Sequence, residues 1–96
     1  MRPSEALHRY REDIRRIVQE NRSANPRIFG SVLRGSDSES SDLDILIDPT
    51  RETSLLDVAR IQNQIQVLLG VRVDVLTPAA LPQKFRDQVL SEAVPV

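Results

Sequence analysis

Two short stretches of this chain alternate with period two, and together they restrict the arrangements open to it. Asp42-Leu43-Asp44-Ile45-Leu46-Ile47 and Val71-Arg72-Val73-Asp74-Val75-Leu76 each place apolar side chains at every second position. That is the pattern of a strand with one buried face. The 24 positions from Ile47 to Val71 carry a helical repeat at Leu55, Val58, Ile61, Ile65, Leu68 and Leu69. It opens on Ser54-x-x-Asp57, a capping signal, and closes at Gly70, a good residue just past a helix end. A strand, a helix and a strand of these lengths fit a crossover, which sets the two strands side by side.

The remaining elements add to this unit. Leu7, Tyr10, Ile14, Ile17 and Val18 fall on one helical face and predict a helix over 4–21, with Ser4 as N-cap. Asn25-Pro26 breaks the chain ahead of a short strand over 27–30. Ser31 to Arg34 reads as a helical turn ended by Gly35, and 36–41 as polar loop. The strands are expected over 42–47 and 71–76, and a last helix over 83–92. The order α-β-α-β-α-β-α describes an α/β (α+β) fold, a small mixed sheet backed by helices. With 96 residues and no linker, one domain spanning 1–96 is expected.

Composition excludes several function classes. No cysteine is present, so disulfides and thiolate metal sites are ruled out and a reducing, cytoplasmic setting is the expectation. No apolar run has membrane-span length, and the first thirteen residues are charged rather than signal-like. Net charge is −1, which argues against direct nucleic-acid binding through a phosphate-neutralising coat. That neutrality conceals an uneven layout. Residues 1–34 hold eight basic and four acidic side chains, whereas 35–48 hold Asp37, Glu39, Asp42, Asp44, Asp48 and no base.

The chemistry gathers in that acidic stretch. Residues two apart on a strand share a face, so Asp42 and Asp44 project together while Leu43, Ile45 and Ile47 project into the core. Asp74 lies opposite Val71, Val73 and Val75 on its own strand. With the strands adjacent, three carboxylates collect on one sheet face. Their mutual repulsion raises their pKa values unless a cation offsets it. Mg²⁺ is the hard ion that such oxygens select, and a pair of them roughly 3.5–4 Å apart serves displacement at phosphorus. Gly30-Ser31 ends the first strand, where glycine permits close approach of a phosphate and serine offers a hydroxyl and an N–H. Arg34 either offsets phosphate charge or pairs with the acidic loop. His8 and Tyr10 lie on the first helix, His8 as a surface residue and Tyr10 on its apolar face, and the arginine-rich remainder of that helix reads as solvated.

Taken jointly, Gly30-Ser31, ten residues and then Asp42-Leu43-Asp44 read GSVLRGSDSESSDLDIL, with Asp74 in VRVDVL. This resembles the signature of the polymerase-β-type nucleotidyltransferase superfamily, in its minimal form, the MNT antitoxins of HEPN/MNT toxin–antitoxin pairs. Leu33 stands where that motif often has alanine. The resemblance implies the nucleotidyltransferase fold, with Gly30, Ser31 and Arg34 binding the nucleotide. It implies that Asp42, Asp44 and Asp74 are catalytic and hold two Mg²⁺ ions. It further implies transfer of AMP from ATP to a hydroxyl, a tyrosine of a partner HEPN-domain toxin, within a hetero-oligomer. A second possibility is an antitoxin that neutralises its toxin mainly by binding. Transfer to a small molecule is a third, which 96 residues leave little room to support.

Overall fold

In the computed structural model, which describes residues 1–96, the crossover unit forms as its spacing requires. Strand β2 (Leu43–Pro49) leads through helix α4 (Leu55–Leu69) to strand β3 (Val73–Leu76), and the strands pair in parallel. Helix α4 begins at the expected cap: the Ser54 amide donates to Asp57 Oδ2 at 2.9 Å, and the Asp57 amide donates to Ser54 Oγ at 3.2 Å. It ends at Gly70 with φ +70°. Its inward stripe differs from the expected one. Ile61, Ile65 and Leu69 are buried, but Leu55 is 90% exposed and Leu68 also faces outward. Asp57 takes the buried position at the helix start, bonded by Arg22 and Arg60.

Strand β1 (Ser23–Phe29) pairs antiparallel with β2, and a two-residue strand β4 (Val94–Pro95) pairs with β1 on its other side. The sheet order is β3-β2-β1-β4. Two expectations about β1 are corrected. Asn25-Pro26 does not precede the strand but sits inside it, as a register shift between Ala24 and Arg27 with Asn25 at φ +52°. A bulge accommodates both the proline and the left-handed residue without ending the pairing. Strand β4 was not anticipated, because two residues are too few to show a period.

The single helix expected over 4–21 is two, α1 (Pro3–Arg9) and α2 (Arg11–Glu20), with Tyr10 at φ −112° and ψ 20° between them. The bend lets each half reach a different part of the sheet: Ala6 and Leu7 pack on the β2 side, and Ile14, Ile17 and Val18 pack against β1 and α4. Ser4 is not the cap. Its amide donates to buried Asp37 Oδ2 at 2.9 Å, anchoring α1 to the loop that was expected to be merely polar. On α2, Arg16 pairs with Asp13 and Glu20, which settles much of the arginine-rich face as solvated intrahelical pairs.

One sheet face carries Ile28, Leu43, Ile45, Ile47, Val73 and Val75 into a core shared with α1, α2 and α4. The opposite face carries Asp44, Leu46 and Asp48 of β2 with Asp74 and Leu76 of β3. A 3-10 turn (Pro78–Ala80) and helix α5 (Gln83–Glu92) stand over part of it. Arg86 of α5 holds that turn, donating to the carbonyls of Pro78 at 2.9 Å and Leu81 at 3.0 Å.

Candidate active site

The site residues take their places from the β2/β3 ladder. Its register pairs Asp44 with Asp74 and Leu46 with Leu76, so two carboxylates stand side by side on the face away from the core. Asp42 lies one residue ahead of β2 rather than within it, and Val71 and Arg72 lie ahead of β3. The Leu43 amide donates to the Arg72 carbonyl at 2.8 Å, which ties the two strand entries together.

Gly30 caps the four-residue helix α3 (Ser31–Arg34) immediately after β1, whose Phe29 is the register partner of Asp44. Its backbone, at φ +75° and ψ −150°, lies in a region only glycine occupies without strain. A Cβ there would fall under 3.0 Å from Asp44 Oδ2 and 3.1 Å from Cγ. The glycine is therefore what lets the Asp44 carboxylate lie directly against the Gly30–Ser31 turn.

The five acids of the 35–48 stretch divide by what satisfies them. Asp37 accepts the Ser4 amide, and Asp48 accepts Asn25 at 2.9 Å and Arg27 at 2.6 Å. Asp42 is paired with Arg72, at 3.1 Å from Nε to Oδ1. Glu39 is exposed. Asp44, half-buried, has no such partner. Burial first, then the charges of Asp74 and Asp42, push its pKa up to about 6 against a smaller opposing pull from Arg34.

A donor set of carboxylate oxygens suits a hard divalent cation, and the raised Asp44 pKa marks a place where positive charge is favoured. Asp44 and Asp74 are disposed for this. Asp42 is turned toward Arg72, and no three acidic side chains converge closely enough to enclose an ion as they stand. Next to the carboxylates, an apolar cavity of about 410 Å³ opens between the sheet and α5, lined by Phe29, Leu76, Leu81 and Phe85 with Gly30 and Arg34 at its margin. That volume is in the range of small-molecule sites. The cavity wall from α5, and the Arg72 partner of Asp42, escaped sequence reasoning. A signal for Arg72 was present, since it precedes Asp74 by the same two residues that separate Asp42 from Asp44.

The fold and the site define a class: a small mixed sheet whose uncovered face sets paired carboxylates against a Gly-Ser turn. Residues 10–96 match the family described as "Nucleotidyltransferase domain", and the chain belongs to that family. A relative from Methanocaldococcus jannaschii, MJ0435, provisionally named a protein adenylyltransferase, is 42% identical over 69 residues, 72% of this chain and 74% of that protein. A solved structure provisionally described as a minimal nucleotidyltransferase is 40% identical with a TM-score of 0.86, covering 97% of this chain and 95% of its own. A toxin–antitoxin structure with AMP-PNP shares the fold at 17% identity and a TM-score of 0.73, over 88% of this chain and 69% of that one.

Proposed function

We propose that this protein is an Mg²⁺-dependent adenylyltransferase that moves AMP from ATP onto a tyrosine hydroxyl of a HEPN-domain toxin and so acts as its antitoxin. The observation that carries this reading is the parallel register of Asp44 with Asp74, set directly against Gly30. The adenylyltransferase name of the jannaschii relative supports it, as does the nucleotide analogue in the toxin–antitoxin structure of the same fold.

Two Mg²⁺ ions held by Asp42, Asp44 and Asp74 would supply Lewis-acid stabilisation to the transferring phosphoryl group. Gly30, Ser31 and Arg34 hold the triphosphate, the glycine by admitting it to the backbone and Arg34 by its charge. The apolar cavity under α5 gives the nucleoside end a wall that excludes water. Asp74 is exposed where Asp42 and Asp44 are half-buried, so it faces an incoming acceptor. The acceptor oxygen bonds to the α-phosphorus, and the bond from that phosphorus to the pyrophosphate oxygen breaks. Pyrophosphate leaves with the electron pair, and the hydroxyl proton passes to an oxygen of Asp74. The acceptor comes from a partner, in a cytoplasmic hetero-complex.

The test is transfer of label from ATP, with Mg²⁺, to a cognate toxin. Wild type should label the toxin. Asp42→Asn or Asp44→Asn should reduce labelling by at least about a hundredfold, as loss of a charge-stabilising group does. A wild type that blocks the toxin without transferring label would establish neutralisation by binding instead.

A further inference from the structure

Along the face of β2 and β3 that looks away from the core, the side chains form a ladder of three rungs. Leu46 stands with Leu76, Asp44 with Asp74, and, one step further toward the strand entries, Asp42 with Arg72. The rungs are apolar, doubly negative and oppositely charged. The last one is set by backbone as much as by side-chain choice. The Leu43 amide is bonded to the Arg72 carbonyl at 2.8 Å, so Asp42 and Arg72 enter their strands side by side. The guanidinium then meets both carboxylate oxygens, Nε at 3.1 Å from Oδ1 and a terminal nitrogen at 3.4 Å from Oδ2. This two-point geometry engages both oxygens of Asp42 and turns the carboxylate toward the guanidinium.

We propose that Arg72 is a positioning residue that competes with a divalent cation for Asp42, holding that carboxylate out of the site until an ion draws it in. The inference rests on the metal-dependent reading above. It accounts for the fact that three acids share one sheet face and yet do not converge. Arg72 is 80% exposed and Asp42 29% exposed. A pair so open to solvent is weak enough to be broken, worth about a two- to fivefold change in a competing equilibrium. The guanidinium thus sets a threshold for ion binding without sealing the site, and on release it lies beside the site with its charge free.

Mn²⁺ titrated into the whole chain and followed by electron paramagnetic resonance tests this. Arg72→Gln should bind Mn²⁺ about two- to fivefold more tightly than wild type. Arg72→Lys, which keeps the charge and loses the two-point contact, should fall between them. In an Asp42→Asn background Arg72→Gln should change the affinity little, because the competed group is gone. Equal tightening in that background would show a general field effect and overturn the proposal, as would an Arg72→Gln variant that binds no more tightly. The pair is read separately, without added ion, from the Arg72 Nε resonance, which should move on Asp42→Asn. If wild type binds Mn²⁺ and Arg72→Gln alters nothing, the competition fails and the metal-dependent reading stands. If neither binds Mn²⁺ at millimolar concentration while the resonance still responds to Asp42→Asn, the metal-dependent reading fails and the competition falls with it.

Discussion

Gly30→Ala separates backbone strain from interference with the carboxylate face. Two costs act at this position. The backbone at φ +75° and ψ −150° is one that residues with a Cβ reach only at about 1–3 kcal/mol. The added methyl would also lie under 3.0 Å from Asp44 Oδ2, closer than real Cβ atoms approach a heavy atom. Asp44 cannot retreat by moving its backbone, because the β2 register fixes it between Phe29 and Asp74. Its carboxylate must rotate off the Gly30–Ser31 turn, and that rotation would take it out of the proposed ion site. Gly70→Ala supplies the control: φ is +70°, and a Cβ there would meet nothing within 4 Å, so the substitution closes α4 with strain but without touching a carboxylate. It should cost about 1–2 kcal/mol, with ion binding unchanged.

Urea denaturation and Mn²⁺ titration on the same samples decide the matter. Gly30→Ala should lose at least as much stability as Gly70→Ala and, in addition, bind Mn²⁺ at least about tenfold more weakly, equivalent to about 1.4 kcal/mol. In an Asp44→Ala background the obstructing oxygens are gone, and Gly30→Ala should then cost only its backbone strain, leaving a coupling of about 1 kcal/mol between the two positions. A Gly30→Ala protein with wild-type Mn²⁺ affinity, or a cycle with no coupling, would refute the contact on which the argument stands.

Three further outcomes follow from other groups in the structure. Asp44 titrates in the folded protein near pH 6 but at the ordinary carboxylate value when unfolded, so the folded form holds its proton over that interval and stability falls as pH rises through it. Asp44→Asn should therefore stabilise the protein at pH 7.5 by on the order of 1 kcal/mol after solvent screening, and change little at pH 4, by urea midpoints. Asp57 behaves oppositely: its hydrogen bonds to Arg22 and to the Ser54 amide hold its pKa far below the ordinary range, so its contribution is complete above about pH 4 and is lost on acidification below that. Wild type should thus lose stability more steeply than Asp57→Asn between about pH 4 and pH 2 in the same assay. The outer amides of β3 at Val73 and Val75 donate to Gln66 and Gln62 at 3.1 and 3.0 Å, and the double variant Gln62→Ala, Gln66→Ala should lose about 1 kcal/mol per bond and associate with itself in sedimentation velocity runs.

What could be read from the amino acids beforehand was whatever repeats. The period-two runs at Asp42–Ile47 and Val71–Leu76 gave two strands to within two residues, and the capped repeat between them gave α4. That Asp44 and Asp74 share a sheet face follows from those periods and the crossover, whereas their register, side by side, is set by the strand pairing itself. Features set by a single contact were not legible. The bend at Tyr10 depends on what lies beneath each half of the first helical segment. The bulge at Asn25-Pro26 depends on β2 and β4 flanking β1 on both sides. Leu55 and Leu68 fit the helical period, yet both face away from the core, and the buried place at the helix start went to Asp57, which two arginines and Ser54 satisfy.

The site itself results from the alternation that makes the sheet. Burying Leu43, Ile45 and Ile47 on one side forces Asp44 to the other, and burying Val73 and Val75 does the same to Asp74. The main core lies on one side of the sheet with α1, α2 and α4, and α5 stands over only part of the other face, none of its residues fully buried. The carboxylates are thus left between solvent and an apolar cavity, near enough to each other to raise the Asp44 pKa and still open to water. Full burial would have made that charge prohibitive, and full exposure would have screened the repulsion that a cation relieves. The partial cover of α5, held through Arg86, is therefore a condition of the proposed chemistry as well as of packing. Arg86→Ala, which frees the Pro78–Leu81 carbonyls, should lower the Asp44 pKa toward the ordinary value as the helix loosens, a change read from the Asp44 carboxyl resonance across a pH titration. An Asp44 titration that stays near pH 6 in Arg86→Ala would show that the sheet alone, without α5, sets the environment of the carboxylate.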